Sequence, residues 1–267
     1  MEIIPFTDYN DFIHIDLNVI YACNMKCSYC YARKENPWNV MMKKDVLNLC
    51  IDRISKSAKC HVNILGGEPS LYPFLKYLLE RLEEMENVTL VKIYTNGIKD
   101  LRKYKSSKVK LVYTTHGKEA QSRTNFDDIF SKIEEDDYLT IMFEKDSSLT
   151  KFHEEIRKKV PNIELEGNFI QYNDTPDLSP HPLDYLQNHC SLDGRKIDQR
   201  EYVKINMKDI NCNINYFSVD YDGTISNCLQ TKGEQNIKDI DKFRSSYQKC
   251  PREHCEQICF MYQRKYK

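Results

Sequence analysis

No uninterrupted apolar run in the sequence approaches the ~20 residues that cross a bilayer, which excludes a membrane-spanning helix. There is no excess of charge of one sign either: 39 Lys and Arg stand against 40 Asp and Glu, a net charge of −1. That balance gives no overall electrostatic case for a nucleic acid backbone as the main partner, although a local basic patch is compatible with it. The N-terminus, Met1-Glu2-Ile3-Ile4, has neither a basic stretch nor a cleavage site, so no secretory signal is expected. Low-complexity tracts and internal repeats are missing as well. What remains is a chain of 267 residues with 40% hydrophobic content, enough to bury one full α/β core plus a small appendage.

Cysteine, by contrast, is abundant. Eleven residues, an odd number without a signal peptide, favour reduced thiolates in a reducing compartment over a disulfide framework, so a cytoplasmic location is expected. Three of them lie in Cys23-Asn24-Met25-Lys26-Cys27-Ser28-Tyr29-Cys30, directly after the apolar run Phe12 to Ile20. Three thiolates on one short loop can hold a cubane iron–sulfur cluster while its fourth iron keeps no protein ligand and stays open for chemistry. A structural zinc site is closed by four ligands, so this group fits zinc poorly.

Two more segments carry chemistry. Ile64-Leu65-Gly66-Gly67-Glu68-Pro69 is a short apolar strand ending in two glycines, an acid and a proline, and glycines there let the backbone approach a ligand closely. After the run Val91 to Tyr94 comes Thr95-Asn96-Gly97, and Lys110 to Thr114 leads into Thr115-His116-Gly117. Polar residues recur at strand ends.

The β-prone stretches fall near 13–20, 60–66, 88–95, 109–115, 138–144 and 163–171, separated by helix-length segments. Val46, Leu47, Cys50, Ile51 and Ile54 recur at helical spacing, as do Leu75, Leu78, Leu79 and Leu82 after Pro73. Cys50 is thus a core residue of a helix, and Cys60, inside a strand, a small buried hydrophobe. Strands alternating with helices predict a parallel sheet with cofactor sites at the carboxyl ends of its strands. Six βα units rather than eight predict an α/β fold of the open, partial TIM-like barrel kind, its side opening facing the substrate.

The three motifs, in this order and over roughly residues 13–175, resemble the radical S-adenosylmethionine (radical SAM) superfamily. The resemblance implies a (β/α)6 partial barrel and a [4Fe–4S] cluster on Cys23, Cys27 and Cys30, whose open iron is chelated by S-adenosylmethionine. One electron from a donor such as flavodoxin or ferredoxin would cleave the sulfonium reductively, and the resulting 5′-deoxyadenosyl radical would abstract hydrogen from a substrate. The protein would supply orientation, a dry cavity and protection from side reactions. It further implies that Gly66, Gly67, Glu68 and Pro69 grip the methionyl amino group, that Tyr29 lies by the adenine, and that Thr95 and Asn96 belong to the cofactor site. Thr114, or less so Thr115, falls where the family has a polar group near the ribose, although the wording departs from Ser-Leu-Asp-Gly. No residue is assigned a catalytic role; Tyr113, His116 and Arg123 lie near predicted strand ends, where a solvated loop is the plainer reading.

Composition shifts after Tyr172. Asn173 to Pro182, with Pro176, Pro180 and Pro182, reads as a linker, dividing the chain into a barrel (1–182) and a cysteine-rich domain (183–267) holding Cys190, Cys212, Cys228, Cys250, Cys255 and Cys259. Between Cys212 and Cys228, Phe217 to Ile225 carries Asp222-Gly223 between two β-prone runs, a strong hairpin signal. This region resembles the SPASM or twitch extension of radical SAM enzymes and implies an auxiliary [4Fe–4S] cluster. A fully ligated cubane needs four thiolates, which favours one cluster and the shorter twitch form. Cys212, Cys228 and Cys259 lead the ligand set, with Cys255 as the fourth and Cys250 its competitor; spacing alone leaves a zinc knuckle open. Such a cluster would pass electrons or brace the fold. The tail from Arg252 reads as a terminal helix with a solvated basic end.

Such extensions are associated most often with peptide modification, so the expected activity is maturation of a ribosomally made peptide by cross-linking, epimerisation or a related change. With the first cluster cysteine at position 23 there is no room for an N-terminal leader-binding domain, and a separate leader-recognition protein is expected. The alternatives are a radical enzyme acting on a small carbohydrate or nucleoside, a glycyl-radical activase, or a non-catalytic iron–sulfur or zinc protein in redox or regulatory service.

Overall fold

The computed structural model describes residues 12–27, 30, 37–115, 131–143, 158, 160, 164–169, 191–192, 195–196, 211–227, 233 and 235–249. Six strands, β1 (Ile13–Ile20), β2 (Cys60–Gly66), β3 (Val88–Thr95), β4 (Val109–Thr115), β5 (Tyr138–Phe143) and β6 (Glu164–Phe169), lie side by side in chain order and run parallel. The sheet is open, with β6 at one edge. All six strands fall where the apolar runs predict them, and the parallel, unclosed architecture is the expected one.

The pattern of β1 explains how the layers form. Ile13, Ile15, Leu17 and Val19 point to one face and are buried, whereas His14, Asp16 and Asn18 alternate onto the other. Cys60, Val62 and Ile64 continue the apolar face on β2, as do Val91 and Ile93 on β3. Helices α1 (Lys44–Ser55) and α2 (Leu75–Glu83) complete this core with Val46, Leu47, Cys50, Ile51 and Ile54, and with Leu75, Leu78, Leu79 and Leu82. Among the described residues, one connection departs from the βα pattern. Between β3 and β4 there is only a single 3-10 turn, Arg102–Tyr104, because this segment has charged and turn residues with Leu101 as its buried apolar anchor.

In the C-terminal part, β7 (Ser191–Leu192) pairs with β8 (Arg195–Lys196), and β9 (Asn211–Ile214) pairs antiparallel with β13 (Ser246–Lys249). The expected hairpin is present as β10 (Tyr216–Val219) and β11 (Thr224–Ser226), followed by β12 (Gln235–Asn236). Its turn is closed by Asp220 N–H donating to Thr224 O at 2.8 Å, and Gly223 takes φ +88°, which glycine tolerates. The hairpin is not a separate body. β10 runs parallel to β1 on its free side, giving a nine-stranded sheet ordered β12-β11-β10-β1-β2-β3-β4-β5-β6. Phe217, Val219, Ile225, Ile237 and Phe243 are buried in the same core as β1 and α1. The expected linker (173–182) and the basic tail (252–267) lie outside the described residues. No helix among the described residues is long and apolar enough to cross a membrane.

Candidate functional site

The cysteine loop begins at Cys23, three residues beyond the carboxyl end of β1. Cys23 and Cys30 are half-buried and Cys27 is buried, packed with Met25 in a small cluster of their own. Cys23 Sγ accepts hydrogen bonds from the Met25 backbone N–H at 3.3 Å and from Asn96 Nδ2 at 3.8 Å. Burial pushes the Cys23 thiol up to about 11, against the Met25 N–H, with Glu68, Cys27 and Cys30 adding to the rise. Burial thus disfavours the free thiolate of Cys23, which a bound metal would stabilise. Three soft sulfurs on one loop, an apolar seat under them and N–H donors aimed at one sulfur suit an iron–sulfur cluster.

The glycine–acid motif is fixed to that loop by backbone contact. Gly67 N–H donates to Ile20 O at 2.5 Å and Glu68 N–H to Ala22 O at 2.9 Å. Gly66 has φ +145°, and a Cβ on either glycine would overlap the carbonyl oxygens of Ile20 or Ala22. The glycines permit close approach, as expected, and the neighbour they approach is the strand end that leads into Cys23. Glu68 is only 1% exposed. Its Oε1 accepts from Thr95 Oγ1 at 2.9 Å and from Ser70 N–H at 3.0 Å, and its Oε2 accepts from Asn96 N–H at 2.8 Å. The carboxylate thus ties the end of β2 to the end of β3. Asn96 completes the knot, with Nδ2 donating to Asn24 Oδ1 at 2.7 Å and Oδ1 accepting from Ile98 N–H at 3.1 Å.

Away from the helices the sheet presents a polar face. Asp16 Oδ1 accepts from Asn63 Nδ2 at 2.7 Å and Oδ2 from the Tyr216 hydroxyl at 2.5 Å, while Asn18 Nδ2 donates to Ser218 Oγ at 3.0 Å. Lys92 Nζ stands 3.7 Å from the centroid of the Tyr138 ring. Asp16, Asn18, His61, Asn63, Lys92, Tyr94, Thr114, Tyr138 and Tyr216 are half-buried on central strands whose opposite face is closed off. At the top of β10, Asp220 accepts from the Tyr221 N–H at 2.8 Å and from the Tyr21 hydroxyl; burial raises its carboxyl above the usual range in spite of both donors. Tyr21 also meets the Tyr221 ring edge-on at 5.7 Å, which fastens the hairpin turn to the residue two before Cys23.

The structure brings together Cys23, Cys27, Cys30, Gly66, Gly67, Glu68, Pro69, Thr95 and Asn96. Thr114 is half-buried on the polar face of β4, opposite Thr140. Tyr113 is buried on the other face, where burial and Asp137 raise its hydroxyl. Cys50 and Cys60 are core residues, as expected. Cys212 is on β9, opposite Gln248. Tyr29, His116, Arg123, Cys190, Cys228, Cys250, Cys255 and Cys259 lie outside the described residues. Sequence reasoning missed Asn24, Ser70, Tyr21, Asp220 and the row His14, Asp16, Asn18; the strict polar alternation within β1 was a usable signal for the last three.

A sequence profile described as the radical SAM superfamily matches residues 17–160. Two curated relatives are GTP 3′,8-cyclase of Limosilactobacillus fermentum, 26% identical over 99 residues covering 36% of this chain and 30% of that protein, and the probable GTP 3′,8-cyclase of Methanopyrus kandleri, 31% identical over 84 residues covering 32% and 26%. The chain thus spans under a third of the length of these relatives. Among solved structures, native anSMEcpe with bound AdoMet superposes with a TM-score of 0.59 at 17% identity, covering 86% of this chain and 79% of that one. Streptococcus suis SuiB bound to its precursor peptide SuiA gives 0.55 at 15% identity, covering 86% and 64%. These likenesses establish the shared fold.

Proposed function

The chain belongs to the radical SAM superfamily of enzymes, and from that membership we propose that it abstracts hydrogen from a bound peptide as a maturase of ribosomally made peptides. Membership implies a [4Fe–4S] cluster and S-adenosylmethionine, which together supply the one-electron chemistry that starts the reaction. The chain's own part is to hold three thiolates at Cys23, Cys27 and Cys30, to set Gly66 to Pro69 against them, and to present substrate to the polar face.

That face is the observation carrying the peptide reading. Its half-buried carboxylate, amides, ammonium and hydroxyls offer donors and acceptors together, which matches an amide backbone with mixed side chains better than an apolar ligand. Support also comes from the folds of anSMEcpe and SuiB, structures of which are described with bound peptides. Cys212, set on β9 opposite Gln248, heads the proposed auxiliary cluster with Cys228 and Cys259, and Cys255 and Cys250 are the candidates for its fourth ligand. A reducing cytoplasm, an electron donor of the flavodoxin or ferredoxin kind and a separate leader-recognition protein belong to the same proposal.

Anaerobic co-expression with a short peptide encoded beside the gene, followed by mass measurement in light and heavy water, tests it. Loss of two hydrogens indicates a cross-link, and deuterium gained only in heavy water indicates epimerisation. A peptide unchanged in both waters overturns the peptide reading. The curated cyclase relatives then make a purine nucleoside triphosphate the substrate to try next.

A further inference from the structure

We propose that Asn96 is a positioning residue which locks the first cluster cysteine to the glycine–acid motif, so that cluster potential and S-adenosylmethionine binding depend on one amide. The inference rests on the cluster and cofactor reading above. Asn96 is 4% exposed, and its backbone N–H and both ends of its side-chain amide have a set direction. Its backbone N–H is held by Glu68 Oε2 at 2.8 Å, and its Oδ1 accepts from Ile98 N–H at 3.1 Å. The second contact fixes which end of the amide is which, because a flipped side chain would set its oxygen against Asn24 Oδ1 and its NH2 against a backbone N–H. Nδ2 is thereby committed to the cysteine loop, reaching Asn24 Oδ1 at 2.7 Å and Cys23 Sγ at 3.8 Å.

Two consequences follow from this placement. An N–H directed at a ligating sulfur stabilises the more negative, reduced state of a cluster and raises its potential. The same residue, through its backbone N–H on Glu68 and its side-chain amide on Asn24, also joins the motif to the loop bearing Cys23, alongside the Glu68 N–H bond to Ala22 O. Coupling between two sites is reciprocal. If S-adenosylmethionine moves the cluster potential, loss of Asn96 weakens both that movement and cofactor affinity.

The test uses anaerobically reconstituted full-length protein, with a redox titration followed by electron paramagnetic resonance, iron loss to a chelator, and equilibrium binding of S-adenosylmethionine. Asn96→Asp keeps the size and the acceptor for Ile98 but removes the donor. Its expected behaviour is a more negative midpoint, a smaller shift of that midpoint on adding S-adenosylmethionine, and iron loss about tenfold faster. Asn24→Ala, which leaves Glu68 and the Asn96 N–H to Cys23 untouched, is expected to speed iron loss while moving the midpoint less. Wild-type potential and iron retention in Asn96→Asp overturn the inference, and so does unchanged iron retention in Asn24→Ala if Asn96→Asp proves unfolded by circular dichroism. A wild-type chain that takes up no cluster overturns the functional reading itself, a result separable from any behaviour of the variants.

Discussion

At the scale of single residues, buried polar groups govern the site. Glu68 satisfies three donors in a place water does not reach, so Glu68→Ala leaves Ser70 N–H, the Thr95 hydroxyl and Asn96 N–H without an acceptor. About 3 kcal/mol of destabilisation is expected in urea unfolding of the metal-free protein, with Glu68→Gln losing less because its remaining oxygen still serves Thr95 and Ser70. Equal midpoints for wild type and Glu68→Ala would refute the clasp. His14 carries a second prediction. Burial first, then the charges of His61 and Lys92, lower its pKa from 6.5 to about 3. The folded state therefore holds it neutral while the unfolded chain protonates it below 6.5, so its contribution to stability is intact above that pH and falls as pH drops toward 3. The slope from this one group is up to about 1.4 kcal/mol per pH unit. His14→Leu should flatten the fall of the thermal midpoint between pH 6.5 and 4; an unchanged slope would place the acid sensitivity elsewhere. Neither role could be read from the sequence, since Glu68 and His14 gain their meaning from burial by distant segments.

At the scale of elements, local pattern and tertiary placement separate cleanly. The six parallel strands and the helices α1 and α2 were visible because each carries its own period: alternation in β1, and the 3–4 spacing of Val46, Leu47, Cys50, Ile51 and Ile54 in α1. The β10–β11 hairpin was visible through Asp222-Gly223, yet its neighbour was not, because pairing with β1 joins strands about two hundred residues apart. Gly223 shows how tightly that placement is held. A Cβ there would stand 2.7 Å from Ile237 Cγ2 and 3.3 Å from Val46 Cγ1, on a backbone at φ +88°. Gly223→Ala is expected to cost about 1–3 kcal/mol through the left-handed backbone and the clash together, seen as a lower thermal midpoint. A loss of a few tenths would mean that the turn relaxes freely away from α1.

At the scale of the molecule, the boundary expected at 182/183 and the physical core are different things. The cysteine content changes after Tyr172, and composition suggests a barrel followed by an appendage. The sheet instead recruits β10, β11 and β12 from beyond the boundary, and Phe243 returns to donate its N–H to Ser57 Oγ at 3.0 Å. Five buried apolar side chains from this region, Phe217, Val219, Ile225, Ile237 and Phe243, share the core with β1. At about 1.5–3 kcal/mol each, their removal is of order 10 kcal/mol, comparable with the whole stability of a typical domain. It would also bare the backbone edge of β1 to other chains. A fragment ending at residue 182 is therefore expected to aggregate or to unfold without a cooperative transition, whereas one ending at 249 keeps the nine-stranded sheet and should unfold cooperatively. Circular dichroism melts of the two fragments decide the matter. If the shorter one melts as a single folded body, the hairpin is an accessory after all, and the Tyr21 to Asp220 contact cannot be what steadies the approach to Cys23.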